Sequence, residues 1–150
     1  MIKSLLLAAA SLLLVSTLSR AQEAGSPAAT QAESSPEILL PRGDPELGRL
    51  VFGRCRSCHV AEAGAGHGNG PNLHRIFGKV AGKQAGFDYY SPELKAAQFV
   101  WTPGVLYLWL ENPMASIPGT TMMSAGVPDP QQRADLVAYL ELMTVRTYPD

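Results

Sequence analysis

Cys55 and Cys58 are the only two cysteines in this chain of 150 residues, and His59 directly follows the second. The run Cys55-Arg56-Ser57-Cys58-His59 is the C-x-x-C-H pattern of covalent haem attachment. Two thiols three residues apart on a helix share one face, so both can reach the two vinyl groups of one porphyrin. The histidine next in sequence can then bring its imidazole to the iron. A redox dithiol needs a strand–helix–strand context, which the sequence lacks. A zinc site needs two more ligands at suitable spacing, and His67 and His74 sit in a Gly-rich stretch without that pattern. An iron held by one histidine needs a second axial ligand or an open position. The side chains able to serve are Met114, Met122, Met123, Met143, His67 and His74. Met143 falls on an apolar helical stripe and is expected in the core. Met122 and Met123 lie in Pro118-Gly119-Thr120-Thr121-Met122-Met123, a loop from which a thioether can swing onto the iron. The residues by themselves do not choose between these two.

Four segments that would position this motif begin alike: Asp44-Pro45-Glu46, Ser91-Pro92-Glu93, Thr102-Pro103 and Asp129-Pro130. In each, an oxygen-bearing side chain caps a first turn whose first residue is proline, where the missing N–H costs nothing. The spacing predicts helices over 44–57, 91–98, 102–111 and 129–144, and hence an all-α domain. The first carries Leu47, Leu50 and Val51 at helical spacing ahead of the cysteines. The third, with Val105, Leu106, Leu108, Trp109 and Leu110, is apolar nearly all round and is expected to be buried. The fourth shows a stripe of Leu136, Val137, Leu140 and Met143. Between the first two lies 64–86, Gly-rich and with few strand signals. A loop of that length in a compact domain needs a reason, and wrapping a large cofactor is one. Four short helices alone would make a thin core.

The composition limits the other function classes. Twelve basic residues stand against thirteen acidic ones, which disfavours a strongly basic nucleic-acid binder. No apolar run reaches the roughly 18–20 residues of a membrane-spanning helix. Lys3, the apolar run from Ser4 to Leu18, and Ser19-Arg20-Ala21 together have the form of a secretory signal over 1–21. Its removal leaves a mildly acidic chain. Residues 22–42, rich in Ala, Ser, Pro, Gln and Glu, are expected to form a disordered tether with one apolar patch at Ile38-Leu39-Leu40. No internal repeat is evident.

Residues 43 to about 146 resemble a class I cytochrome c, closest to the bacterial cytochrome c2 and mitochondrial cytochrome c group. Gly43-Asp44, Gly48 and Phe52 match the opening helix of that family, and the attachment motif follows. Gly70-Pro71-Asn72-Leu73-His74, Phe77-Gly78, Gly86-Phe87-Asp88-Tyr89 and Trp101 match its middle. Leu110-Glu111-Asn112-Pro113 and Ile117-Pro118-Gly119-Thr120 lead to Met122, and Arg133 through Leu140 close the match. The resemblance implies the cytochrome c fold, with short helices and long loops around one covalent haem c. It implies His59 and Met122 as axial ligands. It has the Pro71 carbonyl accepting the other ring N–H of His59, which would set the tautomer and the ring orientation. Tyr89 and Trp101 would hydrogen-bond one haem propionate, and Thr120 would lie near the other. His67 would be a structural hydrogen-bonding residue. Gly48 and Phe52 would pack against Leu136 and Tyr139.

Three features depart from the family pattern. Trp109 stands where a Tyr is usual near the Met ligand, and its indole can donate but not accept. Lys79 replaces an Arg that contacts a propionate, as a more mobile cation. The rim of the haem edge, with Met114, Ala115, Thr121, Pro128 and Asp129, lacks the ring of lysines and retains Arg54 and Arg56. A docking patch more apolar than electrostatic is the expectation. The resemblance implies an electron carrier and not an enzyme: a monomer that exchanges electrons with redox partner proteins, without nucleic acid and without membrane insertion. The alternatives are a haem subunit of a larger complex, or a sensor or peroxidase if the Met ligand is labile. With the export signal, a bacterial periplasmic location is expected.

Overall fold

The computed structural model describes residues 39–145. The expected signal over 1–21 lies outside them, as does all but the last stretch of the tether over 22–42. Five helices appear in order: α1 Pro45–Phe52, α2 Pro92–Ala96, α3 Pro103–Glu111, α4 Pro113–Ser116 and α5 Pro130–Val145. Among the described residues the only strand-like pairing is one antiparallel bridge, Val80 with Val100. None of these helices is long and apolar enough to cross a membrane.

The expected caps form through local hydrogen bonds. Asp44 accepts from the Glu46 and Leu47 N–H groups, and Ser91 from Leu94. Thr102 accepts from Val105, and Asp129 from Gln132. The chain uses the device a fifth time, unanticipated. Asn112 ends α3 and its side chain accepts from the Ala115 N–H, starting the short α4. Two other expectations are corrected. The first helix stops at Phe52 and tightens into a single turn of 3-10 helix over Gly53–Cys55, so Cys58 lies beyond it. The Cys58 and His59 N–H groups both donate to the Cys55 carbonyl, at 3.1 and 2.9 Å, so the two cysteines still sit on one tight turn. Helix α3 is not buried all round: Leu106, Tyr107, Trp109 and Leu110 are buried, whereas Leu108 is half exposed.

The core is built where α1 crosses α5. A Cβ at Gly48 would run into the Asp135 carbonyl and the Tyr139 Cβ, so only glycine permits that approach. Phe52 is fully buried, and its ring lies 5.2 Å from that of Tyr139 in a tilted contact. Leu136, Leu140 and Met143 fill the α5 side, and Met143 is a core residue as its stripe suggests. Buried Asp135 accepts from the Asp44 N–H at 2.8 Å and the Gln131 side-chain amide at 2.9 Å, which ties the start of α1 to α5. From the tether, Leu40 packs partly against this core.

The long loop is held by hydrogen bonds to distant residues. Buried Asn72 donates to the Glu62 and Ala65 carbonyls and accepts from the His74 N–H. The Asn72 N–H donates to His67 Nδ1, so the His67 proton is on Nε2, which donates to the Ala85 carbonyl at 2.9 Å. His67 thus braces two turns of the loop. The Gly78 N–H donates to the Trp101 carbonyl and the Trp101 N–H to that of Lys79, which fixes the loop against the segment leading into α3.

Candidate functional site

The loops and helices enclose a cavity of about 570 Å³ with a predominantly apolar wall. This is within the size range of pockets that hold a cofactor. Cys55, Cys58 and His59 form one side of it. No disulfide joins the two cysteines. Burial pushes the Cys55 thiol up, with the Arg54 guanidinium opposing and Cys58 adding.

The His59 ring is oriented by a hydrogen bond to the backbone. Its Nδ1 lies 2.8 Å from the Pro71 carbonyl oxygen. A carbonyl can only accept, so Nδ1 carries the proton and Nε2 keeps its lone pair. Burial lowers the His59 pKa, partly offset by the bond to Pro71, and so favours the neutral ring that can bind a metal. Gly70 makes room for this ring, because a Cβ there would collide with it.

Of the six candidate second ligands, only Met122 and Met123 line the cavity. His67 is engaged within the loop, Met143 is in the core, and Met114 and His74 are not on the cavity wall. Met122 is half-buried and packed against the core, whereas Met123 is 79% exposed. The Met122 N–H donates to Thr120 Oγ1 at 3.2 Å, and the Met122 carbonyl accepts from the Ser124 N–H at 2.8 Å. The structure therefore distinguishes two adjacent methionines that the residues alone did not.

The remaining expected site residues divide. Pro71, Trp101 and Trp109 line the cavity, and the two tryptophans are buried and meet edge to face at 5.6 Å. Neither indole N–H has a hydrogen-bond partner among the described residues, so both remain able to donate to a group in the cavity. Thr120 is buried just behind the cavity wall formed by Thr121 and Met122, and its hydroxyl oxygen accepts from the Met122 N–H. Tyr89 also lines the cavity, next to Tyr90. Tyr89 is 80% exposed, whereas Tyr90 is half-buried. Burial raises the Tyr90 phenol pKa, with the Gln84 backbone opposing.

Lys79 is engaged by hydrogen bonds. Its ammonium donates to the His74 carbonyl at 2.8 Å and to Gln84 Oε1 at 2.7 Å. Burial lowers its pKa, and Arg75 adds to the effect. Lys79, Gln84, Tyr90 and Trp101 thus gather donors on one part of an otherwise apolar wall. This is the arrangement that a flat apolar ring with acidic substituents requires. Among the described residues no group of three His, Cys, Asp or Glu is placed to hold a bare metal ion, which leaves the zinc alternative without a site.

Sequence reasoning also missed Arg133. Its buried guanidinium donates to the Val127 and Pro128 carbonyls at 2.9 and 2.7 Å and sits 4.6 Å over the Tyr107 ring. It fastens the end of the methionine loop to α3 and α5. No local pattern announces a contact made 26 positions away.

The family model described as Cytochrome c matches residues 45–144. Cytochrome c of Chlamydomonas reinhardtii is 47% identical over 105 residues, covering 69% of this chain and 93% of its own. That of Ginkgo biloba is 44% identical over 105 residues, covering 69% of this chain and 92% of its own. That of Ulva intestinalis is 44% identical over 102 residues, covering 67% and 91%. These relatives correct the expected location. The apparent export signal and the likeness to bacterial members point to a bacterial periplasm, whereas the relatives found are plant and algal proteins. With its attachment motif set on a cavity that suits the cofactor, the chain belongs to the cytochrome c family, whose members bind one covalent haem c.

Proposed function

We propose that this chain carries single electrons between redox partner proteins, with Cys55 and Cys58 bonded to the haem and His59 and Met122 as its axial ligands. The observation that carries this reading is that both cysteines, the histidine and the half-buried methionine line one cavity. The haem supplies a reversible one-electron change at its iron. The chain's own residues set how easily that change occurs. Pro71 holds the His59 Nδ1 proton and so presents Nε2 as the donor. A thioether from Met122 favours the reduced state, and the apolar wall disfavours the extra positive charge of the oxidised one. Arg133 at one end of the methionine loop and Thr120 within it restrain the Met122 backbone, so the ligand geometry changes little between the two states. Tyr90, Trp101 and Lys79 are the proposed partners of the propionates.

The test is the absorption spectrum of the haem-loaded protein, oxidised and reduced. A low-spin ferrous spectrum and the weak far-red ferric band of Met ligation are expected, and His59→Ala should abolish stable low-spin haem. A high-spin ferric spectrum, or ready binding of carbon monoxide by the native chain, would overturn the reading.

The rim makes a further expectation. Met123 is 79% and Met114 47% exposed, while Arg56 is paired with Glu62 at 3.3 Å. With Arg56 engaged and Arg54 the other exposed rim arginine, electron exchange should vary only modestly with ionic strength. Stopped-flow exchange with a redox protein, measured across a salt series, checks this. A steep fall with added salt would show electrostatic docking.

A further inference from the structure

We propose that Met123 is a peroxide-reactive site that takes up oxygen ahead of Met122 and thereby spares the ligand thioether. The proposal rests on the assignment of Met122 as ligand made above. The described methionines form a graded series: Met143 is buried in the core, Met122 is half-buried against it, Met114 is 47% exposed and Met123 is 79% exposed. Met122 and Met123 are adjacent and line the same cavity. An oxidant that reaches the methionine loop from solvent therefore meets the Met123 sulfur first. Thioether oxidation follows access, and its product is reversible by dedicated reductases.

The step balances without other participants. A lone pair on the Met123 sulfur attacks one oxygen of a hydroperoxide. The S–O bond forms as the O–O bond breaks, the sulfur gives up two electrons, and the other oxygen leaves as water or an alcohol after taking the proton. The surroundings at the two positions differ in what they make of the product. At Met123 the sulfoxide oxygen would face solvent, since that residue is mostly exposed. At Met122 the same oxygen would stand against the apolar core and remove the thioether from the iron. Met122 is further shielded because its lone pair is engaged in ligation and its backbone is bonded to Thr120 and Ser124.

The experiment treats the ferric, haem-loaded protein with hydrogen peroxide below one equivalent and locates the sulfoxide by fragmentation mass spectrometry. Sulfoxide on Met123 is expected in several-fold excess over Met122, with Met114 intermediate. Because the oxidant is limiting, Met123→Leu should raise the share on Met122 several-fold and increase the loss of the far-red ferric band per equivalent added. Equal oxidation of the two residues in the native chain, or an unchanged Met122 share in the variant, overturns the proposal. A different failure marks the ligand assignment itself. If Met122 sulfoxide accumulates with no change in the band, and Met123→Leu lacks the band before any peroxide is added, Met123 is the ligand and the proposal falls with that reading.

Discussion

Met122→Ala is expected to lower the reduction potential by roughly 0.2 V, within the roughly 0.8 V range that axial ligation spans in haem proteins. Two causes act in the same direction. The variant loses the thioether that favours ferrous iron, and its shortened side chain lets water toward the position that the native residue covers. The far-red ferric band should vanish, and the ferrous protein should bind carbon monoxide. Met123→Ala is the control: its side chain is mostly in solvent, so the band and the potential should be retained. Potentiometry with optical detection reads both quantities in one titration. If Met123→Ala loses the band and Met122→Ala keeps it, the assignment passes to Met123.

Gly48→Ala should destabilise the protein by about 2–3 kcal/mol, the upper part of the roughly 1–3 kcal/mol that overpacking a core typically costs. Helix propensity taken alone points the other way, since alanine in a helix interior is favoured over glycine by about 1 kcal/mol. Packing decides the sign, because the added Cβ would meet the Asp135 backbone carbonyl, which no rotamer change can move. Relief would require α1 and α5 to separate, which would loosen the Phe52–Tyr139 contact. Gly53→Ala provides the contrast. That residue ends the same helix with right-handed backbone angles, and a Cβ there meets nothing within 4 Å. Urea unfolding of both haem-loaded variants should show a lowered midpoint for the first alone. Equal midpoints would mean that the helix crossing adjusts more freely than its geometry implies.

The parts of this protein legible in its sequence are those whose cause is local. Each helix start is a side-chain oxygen accepting from a backbone N–H two or three residues onward, so Asp44, Ser91, Thr102 and Asp129 could be identified before any fold was known. The attachment motif is likewise contained in five consecutive residues. The first helix shows where locality ends. Its apolar spacing runs on toward the cysteines, yet the chain tightens after Phe52 and presents both thiols from a turn.

Adjacent alternatives in irregular loops depended on the folded chain. Met122 and Met123, and Tyr89 and Tyr90, are pairs of nearly identical chemistry one position apart. Composition and spacing cannot tell which member faces inward, because in a loop that direction comes from hydrogen bonds and packing supplied by other segments. Lys79 shows the same dependence: His74 and Gln84 hold an ammonium that, by residue type alone, resembles a free surface cation. Arg133 is the extreme case, since its partners come from the end of the methionine loop and from α3, and a buried guanidinium has no signature in the residues beside it. Short-range hydrogen bonds and covalent spacing are written along the chain, whereas the facing of a loop side chain is settled only when distant segments close around it.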